Sequence, residues 1–340
     1  MPEHPDALEV GSGARRSALQ WILAGIGLAL LAALVYHAGP RRLAELASRI
    51  GIWTPLILVP YALGTIIDAE GWRATFAHTP PSRWLLFRIR LTGEALNNLT
   101  PTAYLGGEPV KAYLLRRFGT PLNDGASSVI LAKSALTISQ ILFVILGAVL
   151  FVATRGPREI GGLWTLAQMA AGAALVTTLL IRWQRRAPVS ALARLGRRFF
   201  PRSPHVDRLE RRAAEIDIRL SDFYGLRPRA AVASVLFHFV GWFAGAVEIS
   251  LIMALIGHPI VWSDAIIIEA LAQPVRFVGL LIPGTLGVFE AGGLAICAMV
   301  GIPQDVGLTM LLMKRLREIA FSLFGLVLLA RLRPKSGSAA

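Results

Sequence analysis

The chain has 340 residues, 54% hydrophobic and 16% charged, with a mean hydropathy of +0.58; a soluble domain could not bury that much apolar surface, so most of it is solvated by lipid. The formal charge of +14 could suggest nucleic acid, yet the arginines crowd between apolar runs, where anionic lipid headgroups are the nearer partner, and no nucleic-acid role is expected. One cysteine, Cys297, and six scattered histidines offer no disulfide framework and no paired ligand spacing, so neither a metal nor a cofactor is expected.

In chain order, a polar lead with Arg15 and Arg16 precedes an apolar run at 18–36. No small-residue cleavage site follows it, which predicts an uncleaved signal anchor. Further runs of spanning length stand at 52–68, 126–152, 163–183, 230–256 and 306–331. The expectation is an all-α polytopic fold, a single integral membrane domain over 1–340 with about six crossings. The segment 184–229 is rich in arginine and should be a cytoplasmic loop. Counting crossings outward from it puts the N-terminus and the C-terminus inside, in a cytoplasmic (inner) membrane. Arg41, Arg42 and Arg49 fall on the other side, unless the amphipathic run Leu43 to Ile50 lays them on the interface. Within the basic loop, Leu209, Ala213, Ile216, Leu220 and Phe223 recur at steps of four and three. That is an amphipathic helix, lying either on the membrane surface or on the protein's own cytoplasmic face.

Two stretches fit no span. Arg83 to Pro121 has two apolar arms around a polar break, Asn97 to Gly107, and Trp262 to Pro303 has two arms around Pro283 to Gly287. Non-helical backbone at membrane depth survives only inside protein or beside a watery cavity. The stretches match: Pro101 to Glu108 and Pro283 to Glu290 are both seven residues, and Glu108 to Pro121 and Glu290 to Pro303 are both thirteen. Each closing proline leads into a polar turn and a helix with a buried cation, Lys133 or Lys314. Ahead of the breaks the copies differ, because Glu94 precedes Pro101 by seven residues and Glu269 precedes Pro283 by fourteen. The repeats are then 52–152 and 230–331, oppositely oriented because an odd number of crossings separates them. The prediction is an inverted repeat with two re-entrant hairpins entering from opposite faces, the alternative being eight or more full spans.

Ionisable groups within apolar helices are costly and are functional candidates by default. Glu94, Glu108, Lys111, Lys133, Arg276, Glu290, Lys314, Arg315, Arg317 and Glu318 qualify. Glu108 and Lys111 share a helix face at a spacing of three, either as a self-neutralising pair or as a carboxylate and countercharge beside free helix amides that invite a lipid phosphate. Glu290 has no cation three or four residues away, so its partner is tertiary, with Arg276 and Arg317 the candidates; a structural clamp is the alternative role. Arg317 is favoured because guanidinium matches phosphate or carboxylate in two places. Gly106, Gly107, Gly284 and Gly287 line the breaks, whereas Gly292 and Gly293 read as tight helix contacts. The candidate substrate-binding set is Asn97, Pro101, Gly106, Gly107, Glu108, Lys111, Arg276, Pro283, Gly287, Glu290 and Arg317.

At these hairpins the chain resembles the lysylphosphatidylglycerol synthase transmembrane region family, also described as flippase-like membrane proteins. Its pattern of Asn, Pro, Gly-Gly-Glu and a basic residue is similar to Asn97, Pro101, Gly106, Gly107, Glu108 and Lys111, and its second turn to Pro283, Gly284, Gly287 and Glu290. The resemblance covers roughly 15–333. It implies movement of a lipid or lipid-linked headgroup between leaflets, in pathways such as those of hopanoids, glycolipids or polyprenyl-linked lipids. The synthases carry a soluble aminoacyl-transfer domain after the membrane part; this chain ends at Ala340, so lysyl transfer is not expected. The leading expectation is a lipid flippase, not an enzyme. Its rivals are a membrane enzyme with Glu108 or Glu290 as general base, and a scaffold for a lipid biosynthetic complex.

Overall fold

The computed structural model describes residues 25, 28–99, 106–156, 178–179, 182, 186, 188–199, 204–278, 282 and 285–332. The expected span at 163–183 and the first part of that at 18–36 lie almost wholly outside them, as do Pro101, Pro283 and Gly284. Among the described residues the secondary structure is helical: after a stretch at 28–38 come α1 (Pro40–Ile50), a 3₁₀ turn (Gly51–Ile57), α2 (Leu58–Arg73), α3 (Arg83–Leu99), α4 (Gly107–Arg117) and α5 (Leu122–Arg155). Then follow α6 (Pro188–Phe199), α7 (Pro204–Leu226), α8 (Pro228–Leu255), α9 (Trp262–Val278), α10 (Val288–Met299) and α11 (Gln304–Arg331).

Among the described residues, three helical stretches are long and apolar enough to cross a membrane, Pro40–Arg73, Leu122–Arg155 and Pro228–Leu255. The expected last span is also one unbroken helix, α11, but Lys314, Arg315, Arg317 and Glu318 interrupt its apolar character. The starts of α5 and α11 are set alike. Pro121 and Pro303, both in extended backbone, cannot continue a helix backwards, and Asp124 and Asp305 place a carboxylate in the positive first turn.

The repeat is legible in how the helices pack. Helix α2 lies along α8, its counterpart, and runs antiparallel to it: Gly64 meets Ala244, while Gly71 meets His238 and accepts a hydrogen bond from Ser234. Helix α3 packs on α11, and its counterpart α9 packs on α5, so each repeat lends its first hairpin arm to the other's closing helix. Individual contacts obey the exchange. Asn98 on α3 donates to Ser322 on α11 at 3.3 Å, and Gln140 on α5 donates to Gln273 on α9 at 3.1 Å. Shifting by 182 residues carries 140 to 322, and shifting by 175 carries 98 to 273; the same shifts relate Glu108 to Glu290 and Glu94 to Glu269.

The open ends of the two hairpins lie at opposite ends of the helix bundle. The open end of α3/α4 clusters with the end of α2, the start of α5 and the end of α11, through Trp72, Phe76, Leu86, Leu115, Val129 and Leu332. The open end of α9/α10 clusters at the opposite face with α1 and the outer ends of α5 and α8, through Ile50, Phe151, Ile256, Ala265 and Ile302. Arg155, closing α5, bonds both carboxylate oxygens of Asp264 at 2.8 and 2.9 Å and the carbonyl of Val300, tying both arms of the second hairpin. The hairpins therefore enter from opposite faces. Arg315, which bonds Glu290 at the start of α10, and Lys133 each stand eleven residues into their helices, about 17 Å along at 1.5 Å per residue.

Two peripheral helices settle open alternatives. In α7, Ala213, Ile216, Leu220 and Phe223 are buried, with Ile216, Leu220 and Phe223 against Leu131 of α5, and only Leu209 is exposed. The apolar stripe thus packs on protein. Arg219 pairs with Asp124 at 2.7 Å, and Asp217 caps α6 through the amides of Val189 and Ser190. Helix α1 buries Leu43, Leu46 and Ile50 and turns its arginines to specific partners, Arg42 to Asp305 at 3.1 Å and Arg49 to the Ile256 carbonyl at 3.1 Å. That accounts for basic residues on the less basic face.

Candidate functional site

Between the halves lies a cavity of about 250 Å³, lined by residues of α2, α3, α4, α5, α8, α9 and α11. Its wall carries the cations Arg90, Lys111, Lys133, Arg276 and Arg317 and the carboxylates Asp68, Glu94, Glu108, Glu248, Glu269 and Glu318. Such a concentration of charge among membrane helices is tolerable only if the groups pair or meet water.

In the first repeat the two arms are stapled by Asn97. Its Oδ1 accepts the Gly107 amide at 2.7 Å, and its Nδ2 donates to Glu108 at 3.3 Å. A Cβ on Gly107 would stand 2.0 Å from the Gly93 carbonyl oxygen, so the glycine lets the arms touch. Glu108 takes Lys111 on both carboxylate oxygens, at 3.1 and 3.2 Å. Of the two readings of this pair, these contacts fit the self-neutralising one: the Gly107 amide is held by Asn97, and Lys111 by Glu108. Nearby, Arg90 binds Asp68 at 2.7 Å and Glu94 at 2.9 Å, while the Tyr61 hydroxyl donates to Glu94 at 2.8 Å. The other Asp68 oxygen lies 2.6 Å from His238 Nδ1.

In the second repeat the pairing is denser. Arg317 grips Glu248 bidentately at 2.8 and 3.1 Å, and Lys314 bridges Glu248 and Glu269 at 3.0 and 2.8 Å. Arg315 binds Glu290 through two nitrogens, at 2.9 and 2.7 Å, and Glu318 through a third at 2.9 Å. Arg276 reaches Glu318 at 3.2 Å and lies 4.0 Å over the Phe289 ring. The partner of Glu290 is therefore Arg315, not Arg276 or Arg317, which the sequence had suggested. Residues 315 and 317 are two apart on a helix and face different neighbours, a distinction that charge type and position alone do not make. The second Glu290 oxygen accepts the Gly287 amide at 2.8 Å, and Gly287 holds a positive φ of 73°. With none of its surface exposed, Glu290 clamps its own helix and stands outside the cavity wall.

Of the candidate set, Asn97, Glu108, Lys111, Arg276 and Arg317 line the cavity. Gly106, Gly107, Gly287 and Glu290 shape the hairpins behind it, and Pro101 and Pro283 lie outside the described residues. Gly292 and Gly293 abut Val275 and Leu311, the tight contacts expected of them. Sequence reasoning passed over Asp68, Glu248 and His238. Glu248 stands inside the apolar run 230–256, so the rule that finds the other buried charges applies to it equally; Asp68 stands at the edge of the run 52–68.

One group stands apart. Lys133 faces the cavity and, among the described residues, has neither a hydrogen-bond partner nor an ion-pair partner for its ammonium; its strongest electrostatic attraction is to Glu108. Its counterpart under the 182-residue shift is Arg315, which makes three bonds. The counterpart of Lys111 is Gly293, so the first repeat has an extra cation on its hairpin, and that cation has taken the carboxylate.

No solved structure matches the chain. A UPF0104 membrane protein of Pyrococcus horikoshii is 25% identical over 311 residues, 87% of this chain and 92% of that one. A UPF0104 membrane protein of Methanothermobacter thermautotrophicus is 31% identical over 139 residues, 38% of this chain and 40% of that one. The sequence profile described as the lysylphosphatidylglycerol synthase TM region matches residues 20–325, and the chain belongs to that family of membrane proteins.

Proposed function

We propose that the protein carries the polar headgroup of a lipid or lipid-linked molecule between the leaflets of the cytoplasmic membrane, with its arginine-rich face inside. The observation that carries this reading is the charged cavity enclosed between two hairpins that enter from opposite faces. Its volume is about 250 Å³. That suits a small headgroup whose chains stay in lipid. Opposed broken helices around a site at mid-depth are a recurring arrangement for alternating access.

A headgroup-modifying enzyme would need a base able to reach its substrate. The Asp68–His238 pair is the natural candidate, but the ring is wholly buried and its Nε2 abuts Gly71, away from the cavity wall. The carrier reading is favoured for that reason. Reconstitution into liposomes containing fluorescent phospholipids, with the outer leaflet bleached chemically, tests it. The expected result is bleaching beyond one half, and no transfer of any headgroup class tried would overturn it. Orientation is checked by fusing a fluorescent protein after Ala340: fluorescence is expected, and its replacement by activity of a phosphatase fusion would reverse the assignment.

A further inference from the structure

We infer that Lys133 is the docking cation for a phosphate ester, the anionic group of the carried lipid headgroup. This deepens the reading of the cavity as a headgroup site. An ammonium among membrane helices is costly unless an anion meets it. Its counterpart Arg315 is satisfied by Glu290 and Glu318, whereas the equivalent carboxylate, Glu108, is bonded on both oxygens by Lys111. Position 318 maps back to 136, which is Leu136, so the second carboxylate is absent from the first repeat as well. Within the trio Glu108, Lys111 and Lys133 one carboxylate faces two cations, while Arg90 is shared by Asp68 and Glu94, so the first half balances three carboxylates against three cations; the trio opens into the cavity. An entering phosphate would complete there the pairing that Glu318 completes in the other half.

The test uses the purified full-length chain in detergent, titrated with dihexanoylphosphatidylglycerol, with phosphate-free dihexanoylglycerol and with inorganic phosphate. The wild type should bind the phosphate-bearing lipid and not dihexanoylglycerol. Binding should weaken about tenfold in K133Q and hold within about threefold in K133R, the loss expected of one charge-assisted contact. Without ligand, K133Q should melt no lower than wild type, because no ion pair is removed. A merely structural lysine would instead lower the melting temperature while leaving the titration of the folded fraction unchanged, and that result overturns the inference. Equal binding of dihexanoylglycerol would overturn it too. Tight inorganic phosphate binding lost in K133Q, with no gain from the lipid, would uphold the anion site and overturn the lipid as its source. Lys133-dependent binding without transfer in liposomes would overturn the carrier reading alone, and transfer unchanged in K133Q would overturn this one alone.

Discussion

The two halves of the molecule share an architecture and use it differently. In the second, Glu248, Glu269, Glu290 and Glu318 meet Arg276, Lys314, Arg315 and Arg317 in a closed set of ion pairs, and Glu290 is out of reach of the cavity. In the first, Asp68, Glu94 and Glu108 meet Arg90 and Lys111, and Lys133 has no ion-pair partner among the described residues. The same hairpin thus carries a closed set of ion pairs on one side and, under the proposed function, the headgroup contacts on the other. Symmetry of backbone does not require symmetry of charge, and the difference separates residues that hold the fold from residues that can hold a ligand.

The largest effect should come from breaking the clamp. E248A strips Arg317 of its bidentate partner and Lys314 of one of two, and leaving such cations buried costs about 3–5 kcal/mol. The protein should accumulate poorly or melt far lower in detergent; an unchanged melting temperature would show the second half to be no clamp. Next, G107A forces a methyl into the Gly93 carbonyl and should cost about 1–3 kcal/mol as an overpacked contact. Because it parts the arms beside Glu108, transfer in liposomes should fall more than stability does, and preserved transfer would detach the first hairpin from function. Third, E290Q and E108Q give the direct comparison. E290Q should lower stability by about 1–3 kcal/mol by weakening Arg315 and the Gly287 cap, with headgroup binding retained in the folded fraction, whereas E108Q should alter binding more than melting. The reverse ranking would overturn the division of labour. Smallest should be R42A, which removes a half-exposed pair with Asp305 worth about 0–1 kcal/mol, read as a marginal melting shift.

Much of this plan was readable from residue spacing. Equal intervals from proline to glutamate and from glutamate to proline disclosed the repeat, because helices that pack alike keep their landmarks at equal depth. Parity of crossings implied inversion, and the antiparallel α2 and α8 agree with it. The pairing of Glu108 with Lys111 followed from a spacing of three on one helix. Pairings between helices did not follow. Choosing Arg315 over Arg317 for Glu290 depends on the rotation of α11 about its axis, which neighbours decide. Likewise, the stripe of α7 could have faced lipid or protein; Leu131 on α5 decided it, and no residue of α7 itself announces that partner.

Helix α5 is the longest of the described helices. Its 34 residues extend about 51 Å at 1.5 Å per residue, against roughly 30 Å of hydrocarbon. It must tilt or protrude, and its two ends are anchored in different company, Asp124 to Arg219 of α7 and Arg155 to Asp264 of α9. About a third of the way along it stands Lys133. A single rod therefore joins the arginine-rich helices, the cavity wall and the far hairpin. In the proposed carrier, the length of that rod would tie movement at one end to movement at the other.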